Sequence, residues 1–338
     1  MDGDLPHALL ALAPRLVARL IGPFAEVLLH DSLIWWPFLL STLGIGAIAF
    51  CRRDGHGLRS LGEFRRRYLS GAIWAHSSAQ ADYAFYIVNG VLYPVIVAPL
   101  VLSGAFIARM LDAALAGGFG PALAPMLAPT LARIAYTVAF FLAYDFGRFV
   151  AHNLLHEIPL LWEFHKTHHS AEVLTPISSY RVHPVDLFVM QICPNLATGL
   201  ITGIFFYLCA GTIGYYSFFG LHVGIAAFNL IGNLRHWHVW ISFGPVVGRW
   251  LISPAHHLVH HSLAPHHMGT NRGFELAIWD RMFGTLYVPT VEESVRMGLG
   301  DGTDGEWHSV GRLYGLPLQY ALARFGFART SRREEKAP

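Results

Sequence analysis

Residues 131–169 have the sequence LARIAYTVAFFLAYDFGRFVAHNLLHEIPLLWEFHKTHH. The part up to Val150 is mostly apolar and matches the length of about 20 residues that a helix needs to cross a bilayer. The remaining part is more polar and contains five histidines. The stretch therefore predicts a membrane helix that ends in a histidine-bearing segment.

The composition of the whole chain agrees with a membrane protein. Its 338 residues are 54% hydrophobic and 14% charged, whereas soluble domains contain about 25% charged residues. The net charge of +2 is too small to indicate a nucleic-acid partner. Short arginine clusters at 52–67 and 329–333 are interpreted as anchors for anionic lipid headgroups. The three cysteines show no C-x-x-C spacing, so they indicate neither a disulfide framework nor an iron–sulfur site.

Further apolar stretches predict an all-α integral membrane protein with about four or five transmembrane or re-entrant helices. The predicted spans are 32–50, 84–107, 131–150 and a hairpin over 187–231 that breaks near 211–214. Residues 1–30 are expected to form an interfacial helix, and residues 116–129 a loop or re-entrant turn. The arginines after the first span place the next loop in the cytoplasm, which puts the histidine-bearing segments in a cytosolic helical cap.

The histidines are grouped, because 16 of the 20 lie between His152 and His308. His152 and His156 are four residues apart, so their rings project from one face of a helix. Two later groups have the spacing H-x-x-H-H, which is expected to put three rings on one side of a helical turn. Their members are His165, His168, His169, His257, His260 and His261.

Eight histidines with this spacing indicate metal binding, although most single histidines ligate nothing. One catalytic ion takes about four to six ligands, so two metals are implied. Imidazole suits iron, zinc, copper and nickel alike. A metal pair beside acyl chains meets few polar groups to hydrolyse and many C–H bonds, which favours iron with O2.

Two other classes of function remain as alternatives. A membrane metal-ion transporter would carry its histidines in mid-helix along a crossing route, whereas these lie in polar segments at helix ends. A zinc-dependent membrane hydrolase would need a glutamate base as in H-E-x-x-H. Glu157 follows His156, but no histidine stands at the matching position after it.

Several motifs occur in a fixed order along the chain. They are HNLLH at 152–156, LWEFHKTHHS at 161–170, RVHP at 181–184, SPAHHLVHHS at 253–262, NRG at 271–273 and WDRMFGTLY at 279–287. Over about 143–289 this set resembles the fatty acid hydroxylase and sterol desaturase superfamily of membrane enzymes. The resemblance implies membrane helices over 1–130, a catalytic domain over 131–290 and a cytosolic tail over 291–338.

The resemblance also implies an O2-dependent oxidation, either hydroxylation or desaturation, of a fatty acyl, alkyl-ether or sterol-type lipid. Electrons would come from a separate donor protein, and the cofactor would be two iron ions, with zinc a further possibility in isolated protein. The implied location is a bacterial inner membrane, with the metal site on its cytoplasmic side. The eight histidines of the three boxes are the implied ligands, and the oligomeric state stays open.

A ninth ligand is implied just before the last box, where either His236 or His238 is the candidate and His222 a weaker one. Four further residues are candidates for orienting ligand imidazoles: Asp145, His183, His256 and Asp280. For two of these a structural role is an alternative, because Asp145 could pair with Arg148 and His183 could start a helix. His266 and His267 are expected at the surface.

Overall fold

A computed structural model of the protein describes residues 21–54 and 60–326. Most of the predicted interfacial helix at 1–30 and the arginine cluster at 329–333 lie outside these ranges. The described residues are mostly helical. Their α-helices are α1 (Trp36–Asp54), α2 (Leu61–Tyr68), α3 (Gly71–Trp74), α4 (Ser77–Ile96), α5 (Gly104–Phe119), α6 (Pro129–Glu157), α7 (Pro159–His169), α8 (Pro184–Leu208), α9 (Val223–Gly232), α10 (Gly244–Val247), α11 (Pro254–His260), α12 (Ile278–Phe283) and α13 (Val310–Arg324).

The remaining elements are short. Strands β1 (Ser217–Phe218) and β2 (Leu221–His222) form an antiparallel hairpin between α8 and α9. The 3-10 turns are Glu26–Leu28, Ala98–Leu100, Pro176–Tyr180, Asn233–His236 and Asp304–Trp307.

Three helical segments of the described chain are long and apolar enough to cross a membrane: Ser77–Phe119, Pro129–Glu157 and Pro184–Leu208. Many of their apolar side chains are exposed, including Leu131 and Leu200, as expected for helices that face lipid. Helix α1, predicted as a span, is not among these segments, and Arg52 and Arg53 lie in its last turn. The predicted four or five helices therefore correspond to three candidate spans in the described ranges.

The stretch predicted as a single span over 84–107 is divided into two helices. Helix α4 ends at Ile96, and α5 begins after Ser103, whose hydroxyl accepts a hydrogen bond from Phe106 N at 3.2 Å. Pro94 lies in the last turn of α4 and Pro99 in the 3-10 turn after it, and the missing N–H groups of the prolines interrupt the helical hydrogen bonding. Helix α5 continues to Phe119, so the predicted loop at 116–129 starts later than expected.

Close contacts through glycine bring α8 against both α6 and α5. A Cβ atom on Gly147 would lie 2.6 Å from Pro194 Cα, and one on Gly199 would lie 2.7 Å from Ile107 Cβ in α5. These positions accept only glycine, because a larger side chain would push the helices apart. The packing fixes the end of α6 beside the start of α8, where the histidine-bearing segments begin.

A buried arginine fastens α7 to the membrane helices. Arg181 donates to Asp82 Oδ1 in α4 at 2.7 Å, to Thr167 O in α7 at 2.9 Å and to Trp307 O at 3.0 Å. Its side chain is fully buried. Part of the predicted tail at 291–338 takes part in this packing, because Leu313 of α13 belongs to an apolar cluster with Trp307.

Candidate metal centre

Nine histidines from separate parts of the chain form two groups of ring nitrogens. Within each group, one nitrogen of every ring lies within 4.8 Å of those of the others. Site A consists of His152, His156, His165, His169 and His260. Site B consists of His168, His236, His257 and His261.

Both H-x-x-H-H boxes contribute to both sites. His165 and His169 belong to Site A while His168 belongs to Site B. The second box is divided in the opposite sense, because His260 alone joins Site A. The three rings of each box are therefore divided between the two sites. Successive residues of a helix differ by about 100° around its axis, so adjacent histidines of a box point to different sites.

The distances between ring nitrogens fit ligands that share an ion. In Site A, His152 Nε2 lies 3.2 Å from the Nε2 atoms of both His156 and His165. In Site B, His236 Nε2 lies 3.3 Å from His168 Nε2 and 3.0 Å from His257 Nε2. Two nitrogens bound at about 2.1 Å to one ion are about 3.0 to 3.4 Å apart at right-angled to tetrahedral angles.

Unpartnered nitrogens also indicate an ion at Site A. His169 Nε2 and His260 Nε2 are buried and have no hydrogen-bond partner among the described residues. Buried polar atoms are almost always partnered in proteins. An ion bound at Site A would satisfy both nitrogens.

Burial keeps these rings in the form that binds metal. It lowers the pKa of His236 and of His260 to about 3 each. It also lowers the pKa values of His168, His169 and His257 well below the ordinary value, and the neighbouring histidines add to this effect. The rings are therefore neutral near pH 7, and a neutral imidazole offers its lone pair to a metal.

Outer contacts fix the orientation of several rings. Nδ1 of His152 donates to Arg272 O at 2.8 Å, and Nδ1 of His260 donates to Thr270 O at 2.7 Å. Each of these bonds places the N–H on Nδ1 and leaves Nε2 free to ligate.

Two more rings of these sites are held by side chains. His165 Nδ1 lies 2.6 Å from Asp186 Oδ2, and His236 Nδ1 lies 2.9 Å from Ser179 Oγ. Sequence reasoning missed Asp186. The available signal was a carboxylate two residues after the RVHP motif, in the first turn of an otherwise apolar helix.

Two of the candidate orienting residues, Asp145 and Asp280, accept hydrogen bonds from backbone N–H groups. Asp145 accepts from the N–H groups of Glu275 and Leu276 at 3.0 and 3.1 Å. Arg148, its alternative partner, pairs with Glu275 at 3.1 Å. Asp280 accepts from Arg272 N at 2.7 Å and from Gly273 N at 2.8 Å. Asp280 therefore supports Site A indirectly. It binds the backbone of Arg272, and the carbonyl of Arg272 accepts the hydrogen bond from His152 Nδ1.

The remaining histidine candidates lie at helix starts or outside the two groups. His183 Nδ1 accepts from Val185 N at the start of α8, and His256 Nδ1 accepts from Ser253 N at the start of α11. His222 Nε2 lies 2.8 Å from Thr137 O. His238 Nε2 accepts from Leu174 N at 3.0 Å. Of the two candidates for a ninth ligand, His236 is the one whose ring joins Site B.

A cavity of about 280 Å³ opens on the histidines. His156, His169 and His260 of Site A and His261 of Site B line one part of it. Its other walls include larger apolar side chains and one arginine: Trp162, Leu263, Met268, Leu299 and Arg272. Ligand pockets measure about 300 to 1,000 Å³, so this cavity is close to the smallest of them in size.

The chain is similar to known lipid-modifying proteins. It is 32% identical to alkylglycerol monooxygenase of Xenopus tropicalis over 161 residues, which is 47% of this chain and 32% of that protein. It is 33% identical to ornithine lipid hydroxylase OlsE of Rhizobium tropici over 155 residues, 46% of this chain and 43% of that protein. It is 31% identical to Delta(7)-sterol 5(6)-desaturase ERG3B of Gibberella zeae over 122 residues, 35% and 32% of the two chains.

The matches cover less than half of these relatives' own lengths. No solved structure gives a significant match to the chain. The family model of the fatty acid hydroxylases matches residues 137–285, which include all nine histidines of Sites A and B. The resemblance of the motifs is thus confirmed, and residues 137–285 are similar to the fatty acid hydroxylase family.

Proposed function

We propose that this protein is an O2-dependent membrane lipid oxidase with one metal ion at Site A and one at Site B. The observation that carries the proposal is the pair of neighbouring histidine groups beside a cavity with apolar walls. The names of the three relatives describe a monooxygenase, a hydroxylase and a desaturase of lipids, which supports the same class of reaction.

The proposed ligands are the five histidines of Site A and the four of Site B, including His236 and not His238. We propose iron at both sites, and zinc would also fit these ligands in isolated protein. When bound, two non-haem iron ions supply the O2 reduction that a C–H oxidation requires.

The residues of the chain prepare this chemistry by holding neutral rings in place. Asp186 receives the N–H of His165, and a carboxylate in this position makes the ligating nitrogen a stronger donor. The carbonyls of Thr270 and Arg272 fix two other rings of Site A. Little rearrangement of Site A is then needed when an ion binds.

The cavity walls bring the substrate to Site A and exclude water. The Trp162 ring lies 5.2 Å from the His156 ring and 5.3 Å from the His169 ring, measured between centroids. Trp162 and Met268 together give the reacting carbon an apolar surface next to these ligands. The substrate is a fatty acyl, alkyl-ether or sterol-type lipid, and its seating in the cavity decides between hydroxylation and desaturation.

The histidine groups lie at one end of the candidate spans. His156 is in the last turn of Pro129–Glu157, and His183 caps the start of Pro184–Leu208. A transporter would instead distribute its histidines along the spans. The arginines at 52–67 support a cytoplasmic position for this end, and the proposed location is a bacterial inner membrane. They also provide a basic surface to which a separate electron-donor protein could bind.

The zinc hydrolase alternative needs Glu157 as a free base next to the metal. The Glu157 carboxylate instead accepts a hydrogen bond from Arg272 Nη1, and Arg272 also binds Asn153 Oδ1 at 2.7 Å. This pairing occupies Glu157 and supports oxidation over hydrolysis.

The test uses the purified protein in detergent or nanodiscs, loaded with ferrous iron without oxygen. We expect two tightly held irons per chain, and O2 uptake that depends on a reductant and yields an oxidised lipid. His156→Ala, which removes a Site A ligand facing the cavity, is expected to lose lipid oxidation, whereas His238→Ala keeps it. A single tightly held ion per chain, or oxidation that survives in His156→Ala, would contradict the proposal.

A further inference from the structure

A third group of metal-binding side chains lies outside Sites A and B. His266, His267 and Glu293 each offer a ligand atom within 4.8 Å of the others. The sequence predicted both histidines at the surface. His266 is exposed, but only 1% of the His267 surface is accessible, so that part of the prediction was wrong.

The His267 ring is buried without satisfied nitrogens. Neither Nδ1 nor Nε2 has a hydrogen-bond partner in the described part of the chain. The nearest carboxylate oxygen, Glu293 Oε2, lies 3.0 Å from Nε2. Such atoms are rare in folded proteins and call for a specific cause, of which an absent ion is one.

The carboxylate of Glu293 is oriented for a cation. The Tyr287 hydroxyl donates to Glu293 Oε1 at 2.9 Å. The other oxygen, Oε2, faces both imidazoles, with His266 Nε2 at 3.6 Å and His267 Nε2 at 3.0 Å. Two imidazoles and one carboxylate are a donor set that zinc takes when a fourth position stays open to solvent.

We propose that His266, His267 and Glu293 bind a third divalent ion of the zinc class, separate from Sites A and B. The ion joins the segment after α11 to the segment that follows α12. Met268 and Gly269, the next residues after His267, line the cavity at Site A. The third ion therefore fixes one wall of that cavity.

The test counts the metal at the third site separately from the other two. Each protein is loaded with ferrous iron, its iron content is measured, and Zn²⁺ is then titrated by calorimetry, with total iron and zinc determined after gel filtration. Wild type is expected to bind one zinc per chain without losing iron. His267→Ala and Glu293→Gln are expected to weaken this binding at least tenfold while keeping their iron.

Two controls keep the result decisive. His308→Ala removes a histidine that contacts Glu172 Oε1 at 2.6 Å elsewhere, and we expect it to bind zinc as wild type does. If His267→Ala fails to fold, His266→Ala replaces it, because His266 is exposed. Absence of zinc binding in wild type, or its persistence in both His266→Ala and Glu293→Gln, would overturn the proposal. Because the iron content is measured before zinc is added, a loss of iron binding at Sites A and B is distinguished from a loss of zinc binding at the third site.

Discussion

Replacing Asp186 by Asn tests how strongly the protein prepares a ligand before metal binds. The Asp186 carboxylate lies 2.6 Å from His165 Nδ1, and the two side chains are only 1% and 5% exposed. Asparagine keeps the size of the side chain but replaces a charged acceptor with a neutral amide. His165 Nε2 then becomes a weaker donor and its ring is less firmly oriented.

The expected loss is confined to Site A. Removing an outer partner of this kind costs about 10- to 100-fold in metal affinity, equivalent to about 1.4 to 2.8 kcal/mol. The four ligands of Site B do not include His165, so their affinity is expected to stay within about twofold, or about 0.4 kcal/mol.

The assay is competition of the iron-loaded protein against a chelator, with iron per chain as the readout. The measurement is repeated in a His257→Ala background, which damages Site B and leaves Site A to be followed alone. Ser179→Ala is the matched control, because Ser179 contacts His236 of Site B, and its loss is expected at Site B. Equal loss from both sites in Asp186→Asn, or none at either, would refute the reasoning.

Three further predictions concern other histidines of the two sites and the buried Arg181. His168→Ala and His169→Ala change neighbouring residues but are expected to release iron from different sites, Site B and Site A, as seen by metal analysis in a background with only one intact site. His236→Ala is expected to lose the Site B ion, whereas His238→Ala keeps both and loses about 1 kcal/mol of stability with its bond to Leu174 N; equal metal loss in the two would speak against this assignment. Arg181→Met leaves a buried carboxylate unpaired and is expected to cost about 3 to 5 kcal/mol in unfolding free energy, measured by denaturant unfolding in detergent, and a change below about 1 kcal/mol would contradict it.

The histidine boxes were predictable because their spacing is a local property. The i and i+4 pairs His152 with His156, and His165 with His169, do fall in one site. His168 joins Site B because other segments of the chain bring His236, His257 and His261 next to it. The spacing of histidines along the sequence does not contain that information. The same limit applies to His236 and His238, since the choice depends on where the chain turns after α9.

The membrane helices were predicted less completely for a related reason. The span predicted at 84–107, with an interruption at Pro94 and Pro99, lies within the candidate span Ser77–Phe119, and the chain breaks between Ile96 and Gly104. The exact position of the break depends on the backbone conformation around the two prolines, which the sequence pattern does not specify. Asp186 was missed because a single carboxylate in a helical first turn is usual, and only the tertiary contact with His165 gives it a role.

The most direct test of a centre with two ions is anomalous diffraction at the iron edge from crystals of the iron-loaded protein. Two peaks per chain are expected, one surrounded by the five histidines of Site A and one by the four of Site B. His165 and His168, from one box, should ligate different peaks. A single peak per chain, or an ion ligated by His238 in place of His236, would contradict the assignment.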